Sequence, residues 1–189
     1  SLSTGGKIYH HKNTAAPATD YLALTGTDAT FDSAWLNDTA PDANCFTIGG
    51  TGVATNNDDA TYVAYCWHSV AGYSKFGSYT GNGNADGTFI MTGFKPAWIM
   101  IKRTNSAANW YIDDTARNPI NPTVNTINAD TTTAESGNAN LAALDILSNG
   151  FKNRQGAGTG INDSGSTYIY MAFAEHPFIG DGTNPATAR

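Results

Sequence analysis

Charge is scarce in this chain. Only 14% of its 189 residues are Asp, Glu, Lys or Arg, against about a quarter in an average globular domain. The ten Lys and Arg form no run and the formal net charge is −6, so the basic footprint of a nucleic-acid-binding protein is missing. Long apolar runs are also missing. No segment reaches the ~18 residues of a membrane-spanning helix, and no signal-peptide pattern is found at the start. Cysteine is limited to Cys45 and Cys66. Both fall in strand-like stretches and read first as small buried hydrophobes, with a disulfide between them as the alternative.

What remains is apolar and hydroxyl- or amide-bearing. Hydrophobic residues make up 40% and aromatics 11%, enough for a packed core and against wholesale disorder. With so few charges, the polar surface has to be Thr, Asn, Ser and Gly, the turn-forming and hydrogen-bonding side chains of extracellular and virion β-proteins.

The organising feature is a strand that occurs twice. Tyr62-Val63-Ala64-Tyr65-Cys66-Trp67-His68 is echoed by Tyr168-Ile169-Tyr170-Met171-Ala172-Phe173-Ala174, and each copy follows a Thr after an Asn/Asp-rich turn. Seven apolar or aromatic residues between turn signals predict a buried strand. At period two, Val63, Tyr65 and Trp67 share one face of the first copy, as Ile169, Met171 and Phe173 do in the second. Ile8-Tyr9 corresponds to Trp110-Tyr111, Pro17 to Pro119 and Phe46 to Phe151, at offsets of 102 to 106. A period this long predicts tandem domains rather than a solenoid. The second copy alone carries residues 73–103. Residues 1–70 are therefore expected to be the C-terminal part of a module whose earlier strands lie upstream of Ser1, so the chain is read as part of a longer protein. Residues 71–178 are expected to form a second module, and 179–189 a loosely ordered tail.

Further strands are expected at 7–10, 20–24, 45–48, 73–79, 88–91 and 97–102. Residues 31–37, with Phe31 and Trp35, predict a loop or single helical turn that plugs the core. Residues 81–87 predict a hairpin loop, and 138–148 a short helix carrying Leu141, Leu144 and Ile146. Short strands at regular spacing between Gly and Asn turns predict an all-β fold, an antiparallel β-sandwich of jelly-roll or lectin-like type. On the repeat, it is built as tandem modules with the first truncated at its N-terminus.

No catalytic, cofactor-binding or metal-ligating set emerges. His10 and His11 would point to opposite faces of a strand and could not share one metal. Asp113-Asp114 and the 56–59 turn lack the spaced acidic ligands of a calcium loop. No Gly-x-Ser-x-Gly elbow is present, the pair Asp145 and Glu175 has no supporting pattern, and residues 156–160 lack the Lys-Ser/Thr that follows a phosphate loop. The aromatics expected to reach an exposed face are Tyr9, Tyr73, Tyr79, Trp110 and Tyr111. Beside Asn and Asp they would suit a sugar, stacking on its apolar face while the polar groups bond its hydroxyls; covering the edge of the core is the competing role for each.

The phrases Gly72-Tyr73-Ser74-Lys75-Phe76-Gly77-Ser78-Tyr79-Thr80-Gly81-Asn82-Gly83 and Gly93-Phe94-Lys95-Pro96-Ala97-Trp98-Ile99-Met100-Ile101-Lys102-Arg103, with Asn109-Trp110-Tyr111, belong to one recognisable pattern. Together with Tyr168 to Glu175 they resemble a domain of unknown function that recurs in marine bacteriophage structural proteins, usually tail-fibre or receptor-binding proteins, often beside concanavalin-type domains. The resemblance covers 71–178 well and 1–70 as a truncated copy. His68-Ser69 departs from it where the second copy has Ala174-Glu175. It implies a virion setting, on the tail fibre or capsid surface and outside the cell, and brings no catalytic residues. The expected protein is non-enzymatic, assembled with other virion proteins, a homotrimer as fibre proteins generally are, and able to contact a host surface glycan or protein through loops such as 81–87 and 155–165. It needs no cofactor, nucleic acid or membrane. A capsid decoration or head-fibre protein is the alternative; a glycoside-active depolymerase and a non-viral adhesin rank lower.

Overall fold

The computed structural model describes residues 6–50, 55–135 and 143–177. Its centre is an antiparallel five-stranded sheet made of β4 (Ser74–Thr80), β6 (Pro96–Arg103), β7 (Trp110–Asp114), β8 (Ile127–Asn128) and β11 (Thr167–Ala174), in the order β4-β11-β6-β7-β8. The spine is β11, the second copy of the repeated strand. It pairs with β4 from Thr167↔Thr80 to Phe173↔Ser74, and with β6 on its other side.

Both faces of this spine are buried, as the apolar run requires. Alternate residues Tyr168, Tyr170 and Ala172 join Ile99, Ile101 and Tyr79 against a second sheet. That sheet has the order β5-β10-β9, from β5 (Phe89–Met91), β10 (Gly150–Asn153) and β9 (Leu144–Leu147), and it contributes Ile90, Phe151, Leu144 and Ile146. Gly77 is required by this packing: a Cβ there would come within 2.7 Å of the Tyr170 hydroxyl oxygen. On the reverse face Ile169 meets Leu22 and Trp110. Leu22 comes from a third sheet, β1 (Lys7–Ile8), β2 (Asp20–Ala23) and β3 (Phe31–Asp32). The 3-10 turn Ala34–Leu36 buries Trp35 and Leu36 beside it, which is the expected plug. The fold is all-β, with antiparallel sheets packed as a β-sandwich.

Several expectations need correction. Residues 62–68 form no strand, and Val63, Tyr65 and Trp67 are 77%, 75% and 57% exposed. Residues 45–48 likewise form no strand, with Phe46 and Ile48 exposed. The physical reason is pairing. β11 is buried because β4 and β6 flank it, whereas the first copy has no flanking strand among the described residues. Cys45 and Cys66 consequently lie exposed as free thiols, neither buried nor bonded to each other. Residues 81–87 do not close a hairpin, because they carry the chain from the sheet of β4 to that of β5. The expected helix over 138–148 is a strand over Leu144–Leu147, with Leu144 and Ile146 buried at period two; 138–142 lie outside the described residues, as do 179–189. Leu22, from the first 70 residues, packs on Trp110 and Ile169, and the Trp110 indole N–H donates to the Ala23 carbonyl at 2.9 Å.

Candidate functional site

The end of the central sheet where β4 and β6 finish and β11 begins gathers the loops singled out from the sequence. Residues 81–87 leave β4, and 155–165 lead into β11. They are joined by Asn162, which is fully buried. Its side-chain oxygen accepts the Asn82 backbone N–H at 3.1 Å. Its amide donates to the Asn82 side-chain oxygen, the Asn84 carbonyl and the Gln155 carbonyl at 3.0, 2.8 and 2.7 Å. Asparagine is suited to such a node because one side chain offers donors and an acceptor together. Backbone bonds from Gly83 to Asn162 and from Gly81 to Ser166 complete the seam. Arg103, from the end of β6, pairs with Asp163 at 2.5 Å, and Lys152 pairs with Asp86. Asn82, Asn84, Asp86 and Ser164 stay exposed on this end.

Beside this seam runs a groove of about 480 Å³, lined by Lys12, Asn13, Ser78, Thr80, Thr104 and Thr167 among others. Its chemistry is one cation, amides and hydroxyls. Asn13 is 4% exposed, its oxygen accepts the Thr30 hydroxyl at 2.8 Å, and its Nδ2 has no partner. That nitrogen is itself buried, so the donors open to the groove are Lys12, the Asn105 amide and the hydroxyls. Lys12 is exposed beside Asn13. The arrangement can donate hydrogen bonds and a positive charge to an oxygen-rich, acidic ligand.

The five aromatics expected on an exposed face divide. Tyr73 is exposed and packs edge-on against Phe173, while Tyr9 and Tyr111 are half-buried. Tyr79 and Trp110 are buried, at 8% and 3% exposure, and serve the core instead. The Tyr79 ring stacks on Tyr168 at 4.9 Å and its hydroxyl donates to the Ile161 carbonyl. Lys102, wholly buried, lies 5.9 Å from the Trp110 ring and donates to the Thr27 and Ala108 carbonyls at 2.8 and 2.6 Å. Burial lowers its pKa to about 8.

The titratable candidates are spoken for. His10 and His11 do not sit on a strand with opposed side chains; their rings stack at 5.0 Å. Burial first, then the charge of His11, pull the His10 pKa down to about 4. Asp113 is buried and accepts from the Thr126 hydroxyl, and burial raises its pKa to about 7. Asp114 pairs with Arg117, Asp145 with Arg154 and Glu175 with Lys95. In the 56–59 turn, Asn56 donates to the Gly49 carbonyl. Among the described residues no group of three or more His, Cys, Asp or Glu could hold a metal ion. Sequence reasoning found both loops but missed the groove, because Lys12 and Asn13 approach Thr80 and Thr167 only through the fold.

No curated protein and no solved structure matches the chain. The family model for a domain of unknown function, DUF7483, matches residues 2–177, and the chain belongs to that family.

Proposed function

We propose that this protein is a non-enzymatic structural component of a bacteriophage particle, a tail-fibre or receptor-binding module whose groove beside Asn13 takes an acidic host-surface glycan. The observation that carries the ligand half is the exposed Lys12 cation at a groove lined by the Asn105 amide and the hydroxyls of Ser78, Thr80, Thr104 and Thr167. Sugar hydroxyls and carboxylates are the oxygen acceptors such a set recognises. The virion half rests on the resemblance of residues 72–83, 93–103 and 168–175 described above. The carboxylates that could have formed a hydrolytic pair, Asp145 and Glu175, each face their own cation, which supports a binding rather than a catalytic role.

A capsid decoration role is the second reading, favoured by the exposed apolar stretch of Phe46, Ile48, Tyr62, Val63, Tyr65 and Trp67, which could glue shell subunits together. Antibody raised against this chain and imaged on purified particles from the source culture separates the two. Label on the tail or its fibres supports receptor binding, label over the capsid supports decoration, and unlabelled particles contradict the virion setting.

A further inference from the structure

Residues 62–68 have the sequence of a strand but no strand partner, and the outer edge of β4 is open at Ser78 among the described residues. The backbone of residues 62–67 makes no hydrogen bond among the described residues, although its sequence is that of the doubly paired β11. An apolar, unpaired, strand-competent segment is a template for strand addition. The open edge belongs to β4, the terminal strand of the central sheet. Ser74 exchanges backbone bonds with Val70 at 3.0 and 2.9 Å, and the Phe76 N–H reaches the Ser69 hydroxyl at 3.0 Å. Ser74 and Phe76 thus turn their backbone groups outward, away from β11. Ser78, two residues on, turns outward by the same pleat, and no described residue pairs with its backbone on that side.

The Val70↔Ser74 bridge sets a register. Continued antiparallel, it places His68 opposite Phe76, Trp67 opposite Gly77, Cys66 opposite Ser78, Tyr65 opposite Tyr79 and Ala64 opposite Thr80. The faces agree. Tyr65 and Trp67 fall beside Tyr79 and Gly77, extending the aromatic face of Tyr79, Tyr168, Tyr170 and Phe151. Cys66 and Ala64 fall beside Ser78 and Thr80, on the open side of the groove. A slip of one residue would reverse every side chain, so this agreement is not neutral to register.

We propose that residues 62–68 add to the outer edge of β4 on a second copy of this chain, as an exchanged strand pivoting at residues 70–73. Among the described residues, the backbone of 62–67 and the edge of β4 at Ser78 are both unpaired. A foreign partner would satisfy one and leave the other open, whereas a second copy satisfies both, and a closed ring of copies leaves neither exposed. Gly72, in the left-handed region at φ 72°, marks the pivot. The exchange also walls the groove with the neighbour's Ala64 and Cys66. It gives a physical basis to the homo-oligomer expected from the sequence and stands or falls apart from the virion setting.

Cys66 provides the test. In the Cys45→Ser/Ser78→Cys variant the only thiols are those two positions, and opposed strand residues have the Cα separation a disulfide tolerates. After mild oxidation, a non-reducing gel is expected to show linked copies at multiples of the single-chain mass, collapsing on reduction. A disulfide within one chain, seen as a single-chain band whose thiols are lost, would show 62–68 closing on its own β4 and overturn the exchange. So would the absence of any bond. Cys66→Pro, at an exposed position outside every strand and with its N–H directed at Ser78 in this register, is the companion variant. By light scattering the parent is expected at two or three chain masses and this variant at one, with the β-sheet circular dichroism retained. A parent of single-chain mass, or a variant that stays assembled, contradicts the proposal.

Discussion

Asn162 and Asn82 hold each other through both ends of their side chains: Asn162 Oδ1 accepts the Asn82 backbone N–H, and Asn162 Nδ2 donates to Asn82 Oδ1. The same buried amide donates to the Asn84 and Gln155 carbonyls. One residue therefore makes two loops, some 80 positions apart in sequence, into a single surface. Asn162→Ala is expected to lower stability by about 2–4 kcal/mol, because it removes several bonds, each worth ~1 kcal/mol net, and leaves a buried carbonyl unmet. Urea unfolding reads the loss. Hydrogen exchange is expected to speed up in 81–87 and 155–165 first.

Asp113 and His10 give stability opposite pH slopes. The Asp113 pKa is raised from 3.8 to about 7 by burial. Between those values the folded state holds a proton that the unfolded state has lost, so stability contributed by the neutral acid is full below 3.8 and falls as pH rises to 7. The His10 pKa is lowered from 6.5 to about 4. There the unfolded state binds the proton, so stability is full above 6.5 and falls as pH drops to 4. The two offset each other between pH 4 and 6.5. Asp113→Asn is expected to leave a profile that rises with pH across that window, while His10→Gln leaves one that falls. Each slope amounts to a few kcal/mol at most, on the order of 1.4 kcal/mol per pH decade. Thermal melts of the three proteins from pH 4 to 8 check both signs.

Gly77→Ala places a methyl against the Tyr170 ring, whose nearest atoms would lie 2.7 and 2.8 Å away. Tyr170 is 4% exposed in the core and has little room to yield. A loss of about 1–3 kcal/mol is expected, the range for overpacking a well-filled core, measured as a shift in the denaturant midpoint with its slope unchanged.

The sequence was most legible where local pattern and packing coincide. β2, β4, β6 and β11 lie where alternation and turn residues put them, and Trp35 plugs the core from a single turn. Legibility failed wherever the partner mattered. The first copy of the repeated strand has the composition of β11, but composition measures fitness for burial and cannot supply the flanking strands. Leu144 and Ile146 looked helical beside Leu141, yet two buried positions at spacing two are a strand. Tyr79 and Trp110 carry polar tips that suit a surface, and each tip instead finds a buried carbonyl, Ile161 or Ala23. The groove was out of reach because its walls come from four separate stretches of chain.

Lys12→Ala removes an exposed cation that forms no ion pair among the described residues, so stability is expected to change by less than ~0.5 kcal/mol. Affinity for an acidic polysaccharide is expected to fall about tenfold, the scale of one charge-assisted hydrogen bond. Part of the remaining affinity should persist at high salt, through the Asn105 amide and the hydroxyls. Binding isotherms at two salt concentrations separate the two contributions.

The proposed glycan site is the groove between residues 12–15 and the end of the central sheet. The most direct measurement is binding of the intact chain to an array of bacterial surface polysaccharides, with Lys12→Ala printed alongside. Retention on acidic polysaccharides is expected, weakened in that variant and competed by the soluble glycan. No binding anywhere on the array, or binding that Lys12→Ala leaves unchanged, would contradict the proposed site.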